Sequence, residues 1–174
     1  MQRFRHILEN AERYQQVPVT HSFDPVMSQD TFDLHYKKLY AGYVQRAVEG
    51  DHSDFTIGGV KLHDAYFEQL QPPRSNNRPH GESLHLITEQ FGSYGDFQQQ
   101  FEEAAVATQG SAWVYLSRQG TIKTIKNHRP VSDIALILDM WEHAYIMDFG
   151  SDKKRYVDNF WKIIDWSVVN IRLG

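Results

Sequence analysis

The spacing of apolar residues changes from helical to strand-like partway along the chain, and this change constrains the fold more than any other feature. Before the segment QPPRSNNRPHG at residues 71–81, apolar side chains recur at helical intervals. After it, SAWVYLS and TIKTIKN alternate apolar and polar residues around a glycine turn, and DIALIL is a continuous apolar run. The sequence therefore predicts an α+β fold with an N-terminal α-helical hairpin domain at residues 1–75 and a C-terminal α/β domain at residues 81–174.

Two of the predicted N-terminal helices carry a histidine on their apolar face. The first begins after Ser28, a residue suited to the N-cap, and ends at Gly50; its apolar face holds Phe32, His35, Tyr36, Leu39, Tyr40 and Tyr43. The second follows Gly58 and Gly59, and its apolar face holds Leu62, His63, Tyr66, Phe67 and Leu70. A short loop between the helices makes an antiparallel hairpin, so the two histidines can meet. Taken singly, each is more often a buried core histidine than a ligand.

Further helices are predicted around this hairpin and the sheet. Residues 2–16 have helical spacing and no assigned role, and they form an extra N-terminal segment. Two helices, at about residues 83–91 and 93–110, precede the strands, and the second starts with the capping-box-like pair Ser93 and Asp96. A long helix is expected to close the chain.

Composition and charge exclude several classes of function. The chain contains no cysteine, which removes disulfides, thiolate zinc sites and iron–sulfur clusters. Its net charge is -4 and it has no basic stripe, so nucleic acid is not expected as a partner. No apolar run is long enough to cross a bilayer, and the N-terminus lacks a signal-peptide core, so we expect a cytoplasmic protein without membrane contact.

The segment DMWEHAY at residues 139–145 directly follows the apolar run DIALIL. Asp139, Glu142 and His143 are either caps and surface charges at the end of a buried strand, or they converge on a bound ion. Combined with His35 and His63, the segment offers three imidazoles and one carboxylate without any thiolate. Such a donor set suits Fe or Mn better than Ca or Mg.

DMWEHAY, together with LHYKKLYAGYV, GGVKLHDAYF, FGSYGDF and QGSAWVYL, resembles the iron/manganese superoxide dismutase family over about residues 22–172. The resemblance implies a three-stranded antiparallel sheet in the C-terminal domain and one Fe or Mn ion per subunit, held between the domains. It also implies a homodimer, with a tetramer possible, and superoxide as the substrate that is converted to dioxygen and hydrogen peroxide. Carried over by position, the metal ligands are His35, His63, Asp139 and His143.

The resemblance also assigns residues around the ion. Tyr43 matches the gateway tyrosine, and Trp113, Tyr115 and Trp141 match an apolar wall. Glu142 matches the acid that reaches the metal-bound histidine of the other subunit. Lys38 and Lys153 match basic residues near the substrate entrance.

The chain departs from the family at two places. Family members present a glutamine to the bound solvent from the second helix or from the sheet region, whereas this chain has Gly59 and His128 there. His128 is thus either a functional replacement or a simple loop histidine, and the choice between Fe and Mn stays open. Leu39 and Ile146 replace a polar His–Tyr pair, which predicts an apolar contact across the dimer interface.

Two other functions compete with dismutation. A non-haem iron oxidase or oxygenase would use similar ligands but would leave two or three coordination positions free for an organic substrate. A non-catalytic scaffold relative would be expected to lose ligands, whereas all four candidates are present.

Overall fold

The computed structural model describes residues 9–174 of the chain. Residues 9–13 are helical (α1), and residues 2–8 of the helix predicted at 2–16 lie outside the described residues. The rest of the first half consists of α2 (Gln29–Phe32), a π-helical segment π1 (Asp33–Tyr40), α3 (Ala41–Glu49) and α4 (Asp54–Glu68). The second half consists of α5 (Gly81–Phe91), α6 (Tyr94–Val106), β1 (Ala112–Ser117), β2 (Ile122–Lys126), β3 (Ile134–Asp139), α7 (Ile146–Phe149), α8 (Lys153–Phe160) and α9 (Trp166–Leu173), with 3-10 turns at Glu142–Ala144 and Trp161–Ile163.

The three strands form one antiparallel sheet in the order β2–β1–β3, as predicted. β3 is buried along its whole length, as its continuous apolar run predicted. β1 is also buried along its whole length, so the interpretation of its segment as alternating apolar and polar residues is wrong. β2 is the edge strand, and its exposed lysines discourage pairing with another chain. Trp113 of β1 lies opposite Asp139 of β3, so the register places an indole beside the predicted ligand.

Two predicted helix starts are confirmed in detail. The hydroxyl of Ser28 accepts a hydrogen bond from the backbone N–H of Thr31, and that of Ser93 accepts one from the N–H of Asp96. Each serine satisfies a donor that the first helical turn leaves unpaired. The starts of α2 and α6 are therefore encoded locally.

The first helix of the hairpin contains a wider π-helical turn that the spacing of apolar residues did not predict. The backbone N–H of Ala41 bonds to the carbonyl of Tyr36, five residues earlier. This extra residue per turn puts His35 and Tyr40, five positions apart, on the fully buried face. Leu39, expected on that face, is only half-buried. Single π-helical turns of this kind are frequent at functional sites.

The prediction of one long C-terminal helix is wrong, because the chain is extended at Ile164, between α8 and α9. Ile164 forms an isolated antiparallel bridge with Leu70, and Asp165 N–H donates to the carbonyl of Gln69 at 2.7 Å. The side chain of Asp165 then caps α9 by accepting from Ser167. The extended residues provide hydrogen-bond partners for the backbone of the segment after α4. Because these partners are distant in sequence, the local spacing of apolar residues does not reveal the break.

One hydrophobic core runs through both halves of the molecule. Leu62 and Tyr66 of α4 belong to the same buried cluster as Trp113 of β1 and Leu136 of β3. The division into two domains at residues 71–81 therefore stays a prediction. Within residues 9–174, no helix is both long and apolar enough to cross a membrane.

Two glycines let α4 approach its neighbours closely. A Cβ atom on Gly58 would lie 1.9 Å from the carbonyl oxygen of His128, and one on Gly59 would lie 2.5 Å from Cδ1 of Tyr43. Both distances are far below van der Waals contact, so only glycine fits. The Gly58–Gly59 pair thus allows the loop that carries His128 to pack against α4.

Replacement of Gly58 by alanine is expected to destabilise the protein by roughly 1–3 kcal/mol, the usual cost of overpacking a close contact. Gly42 provides the matched control, because a Cβ there meets nothing within 4 Å. Gly42→Ala is expected to gain up to about 1 kcal/mol from the better helix propensity of alanine. Urea unfolding of both variants gives the two free energies, and equal effects would show that the His128 loop moves away at little cost.

Candidate metal centre

Four side chains from four separate elements converge at one point. His35 comes from π1, His63 from α4, Asp139 from the end of β3, and His143 from the 3-10 turn that follows. Their ligand atoms all lie within 4.8 Å of one another. Oδ2 of Asp139 is 3.1 Å from Nε2 of His35, 3.1 Å from Nε2 of His143 and 3.9 Å from Nε2 of His63.

These donors are buried and lack sufficient hydrogen-bond partners. His35, His63 and Asp139 have no exposed side-chain surface, and the His143 side chain is 15% exposed. Among residues 9–174, no hydrogen bond reaches Nδ1 of His35 or Nε2 of His63, and the nearest partner of His35 Nε2 is Oδ2 of Asp139. Buried polar atoms in native proteins are almost always satisfied. Three imidazoles and a carboxylate that face one another in this way fit one Fe or Mn ion.

The local electrostatics favour the protonation states that a metal site needs. Burial lowers the pKa of His35 and, more strongly, that of His63, so their rings are held neutral. For Asp139, burial alone would raise the pKa, but the imidazoles of His143 and His35 outweigh it and keep the pKa well below its usual range. Neutral imidazoles and an ionised carboxylate are the forms that bind metals.

Neighbouring groups fix the orientation of the donors. Nδ1 of His63 lies 2.6 Å from the carbonyl of Gly59, so its N–H donates there and the lone pair of Nε2 points to Asp139. Oδ1 of Asp139 accepts from the backbone N–H of Trp141 at 2.8 Å. The hydroxyl of Tyr156 on α8 donates to the backbone carbonyl of Asp139 at 2.9 Å. The donors are therefore held in place by the protein itself.

His128 lies beside this cluster and uses both of its ring nitrogens. Nδ1 accepts from the indole N–H of Trp113 at 3.2 Å, and Nε2 lies 2.8 Å from the hydroxyl of Tyr43. Because indole only donates, Nδ1 must carry the lone pair and Nε2–H must donate to Tyr43. Burial lowers the pKa of His128 to about 4, so the ring is neutral near pH 7. The interpretation of His128 as a simple loop histidine does not fit a buried ring with both nitrogens hydrogen-bonded.

The predicted aromatic wall is only partly formed by the predicted residues. Trp113 lies 5.0 Å from the ring of His63, and Trp141 stacks on His128 with ring centroids 4.3 Å apart. Tyr115 does not join them: its hydroxyl donates to Asp133 at 3.0 Å, and Lys123 lies over its ring. The hydroxyl of Tyr115 therefore belongs to the salt-bridged pair that links β2 and the start of β3, and the assignment of Tyr115 to the wall stays a prediction.

The predicted charged residues lie at the surface around the site. Glu142 is exposed, next to His143. The ammonium group of Lys153 donates to the carbonyl of Thr108 at 2.6 Å, and Lys153 lines a cleft together with Glu142 and His143. Lys38 is exposed on π1.

Sequence reasoning missed two residues near Tyr43. Phe55, which is 45% exposed, has ring contacts with Tyr43, His128 and Trp141. Nothing in its sequence context distinguishes it from a surface residue of the first turn of α4. The guanidinium of Arg46 lies 4.5 Å from the ring centre of Tyr43. The i, i+3 spacing of Tyr43 and Arg46 on one helix was a usable signal.

The fold and the donor set define a mononuclear metal-binding protein with a three-histidine, one-carboxylate site. Residues 79–172 match the family described as iron/manganese superoxide dismutases, C-terminal domain. The chain belongs to the iron/manganese superoxide dismutase family.

Several curated proteins are similar in sequence to this chain along most of its length. It is 31% identical to the iron superoxide dismutase of Pyrobaculum aerophilum, over 93% of this chain and 92% of that protein. It is 32% identical to the iron superoxide dismutase of Bacteroides fragilis, over 87% of this chain and 93% of that protein. The corresponding protein of Plasmodium falciparum is 27% identical, over 87% and 90% respectively.

Replacement of Asp139 by asparagine is expected to weaken iron or manganese binding at least tenfold. Mutation of a residue that only hydrogen-bonds to a metal ligand already weakens metal binding by about tenfold to a hundredfold. Asp133→Asn is the matched control, because Asp133 lies just before the opposite end of β3 and pairs with Lys123 outside the cluster. Metal content after dialysis against buffered metal measures both variants. Added metal should also raise the melting temperature of metal-free wild-type protein but not that of Asp139→Asn. Equal metal retention by both variants would place the ion elsewhere.

Proposed function

We propose that this protein is a superoxide dismutase that holds one Fe or Mn ion per subunit on His35, His63, Asp139 and His143. The observation that carries the proposal is the convergence of these four buried donors beside the hydrogen-bonded pair of Tyr43 and His128. The bound ion supplies a one-electron change between its trivalent and divalent states. In the net reaction, one superoxide is oxidised to dioxygen, and a second takes the electron and two protons to become hydrogen peroxide.

The protein residues control protons and access in this proposal. The Tyr43 oxygen accepts from Nε2–H of His128, so its own phenolic proton is not used in that bond. Tyr43 can therefore donate to an oxygen species at the centre. Burial raises the pKa of Tyr43, which keeps the phenol protonated as a donor. The rings of Trp113, Trp141 and Phe55 exclude bulk water from the same region.

The imidazole of His128 has less hydrogen-bonding capacity than the glutamine it replaces. An amide carries two N–H donors and a carbonyl acceptor, whereas this ring has one donor and one acceptor, both already engaged. His128 therefore acts on the centre through Tyr43 rather than directly. The choice between Fe and Mn stays open, since a changed hydrogen-bond donor next to the site alters the preference between the two ions.

The competing functions have less support. An oxidase or oxygenase site needs free coordination positions and room for an organic substrate, and four protein donors leave little of either. A scaffold role would not require the neutral, oriented imidazoles and ionised carboxylate that surround this point. Dismutation of a small anion uses all of these features.

We further propose a symmetric homodimer in which Glu142 of one protomer bonds to His143 of its partner. The exposure of Glu142 next to the cluster supports this arrangement. Ile146 and Met147, 43% and 52% exposed, form an apolar surface on the following helix, and Leu39 is half-buried. In the dimer, contact between Leu39 and Ile146 would replace the polar pair of other family members.

Protein reconstituted separately with Fe and with Mn is expected to dismute superoxide with at least one ion, when rates are normalised to measured metal. Tyr43→Phe should lower the turnover number roughly fivefold without loss of metal, the value of about one hydrogen bond. Tyr36→Phe is the matched control, because its hydroxyl donates to the Val17 carbonyl at 2.7 Å, outside the site. Stoichiometric metal without dismutation by either ion would refute the proposed activity.

Substitution of Ile146 by glutamate is expected to convert the dimer largely into monomers, since it would bury a charge in an apolar contact. Ile171→Glu introduces the same charge on α9, where Ile171 is 78% exposed, and should leave the dimer intact. Light scattering coupled to size-exclusion chromatography distinguishes the two states. A monomeric wild-type protein would contradict the assembly, as would a dimer unaffected by Ile146→Glu.

A further inference from the structure

The cationic side chain of Arg46 lies against Tyr43, on the aromatic side of the metal centre. The guanidinium of Arg46 lies 4.5 Å from the ring centre of Tyr43, and Tyr43 bonds to His128 at 2.8 Å. Arg46 itself is exposed, whereas Tyr43 is only 8% exposed. The positive charge therefore sits between solvent and the buried phenol.

Ring contacts connect this surface position to the donor cluster. Phe55 is 45% exposed and touches both Tyr43, at 5.9 Å between ring centroids, and His128, at 5.0 Å. Tyr43 and His128 each lie 5.5 Å from the ring of His63. Side chains in contact with one another therefore lead from Arg46 and Phe55 at the surface, through Tyr43 and His128, to His63.

The guanidinium of Arg46 is not held in a salt bridge. None of the salt bridges described among residues 9–174 includes it, although Asp51 is near enough for the two opposite charges to attract. The carboxylate of Asp51 also accepts hydrogen bonds from Thr56 and Ser53, and that of Glu49 accepts one from Gln45 at 2.9 Å. The charge of Arg46 is therefore partly balanced by Asp51, while the guanidinium itself stays exposed to a mobile anion.

We propose that Arg46 is a steering residue, which attracts small anions to the Tyr43 side of the metal centre and increases their rate of entry. The inference rests on the proposed function for the identity of the natural anion, superoxide. Because the chain is net acidic, its overall charge opposes the approach of an anion, and a local cation can reverse this effect. Lys153 is less suited to this side, since its ammonium is bonded to Thr108 in the cleft beside His143.

The test compares three full-length variants after metal loading, with metal content and circular dichroism confirmed for each. Arg46→Gln removes the charge, Arg46→Lys retains it, and Arg118→Gln removes the same charge from the β1–β2 turn, beyond the end of β1 opposite Trp113. Two rates are measured at low and high ionic strength. One is kcat/KM for superoxide, and the other is the association rate of azide with the ferric protein, followed by absorbance.

Arg46→Gln is expected to lower both rates roughly two- to fivefold at low ionic strength, with little change at high ionic strength, where the charge is screened. Arg46→Lys should retain most of each rate, and Arg118→Gln should match wild type. Equal losses in Arg46→Gln and Arg118→Gln would overturn the proposal, as would a loss that Arg46→Lys shares or that salt does not diminish. If the loaded protein does not dismute superoxide, the proposed function fails, and the azide rates still decide whether Arg46 steers anions.

Discussion

The carboxylate of Asp139 imposes the central constraint on this structure. It is fully buried at the end of a fully buried strand, and an isolated ionised carboxylate there would cost several kcal/mol. Three imidazoles surround it, with which it would share a bound metal ion, and only that of His143 is close to it in sequence. To supply the other two, π1 and α4 must pack against the end of β3. The hairpin and the sheet are therefore joined through one polar cluster inside a continuous apolar core.

Much of this arrangement was predictable, because the relevant signals are local. Alternating apolar and polar residues indicated the β-hairpin, a continuous apolar run indicated β3, and serine caps indicated the starts of α2 and α6. Histidines on apolar faces and the segment DMWEHAY indicated four candidate donors, and the resemblance to the family, rather than the local pattern, assigned them as metal ligands. Each of these features depends on residues within a few positions of one another, so the sequence alone indicates it.

The features that were missed depend on distant parts of the chain. The π-helical turn leaves Leu39, which was expected on the buried face, only half-buried, and it is a consequence of packing rather than of helix propensity. The break at Ile164 exists because the segment after α4 needs partners for its backbone. The close approach of the His128 loop depends on Gly58, whose role appears only when the loop is folded against it. The hydrogen bond from the Tyr115 hydroxyl to Asp133 is a further contact that local spacing does not reveal.

The substitutions that distinguish this chain all act on the surroundings of one phenol. Leu39 offers no polar group one helical turn before Tyr43, and His128 offers it a single N–H. A glutamine on α4 would require a Cβ at Gly59, where the Tyr43 ring already lies. Tyr43 is thus held by packing against Gly59, one hydrogen bond and one cation above its ring. Because Arg46 contacts Tyr43 and none of the four donors in the cluster, a change at this position would alter the charge on the Tyr43 side of the centre without removing a candidate ligand.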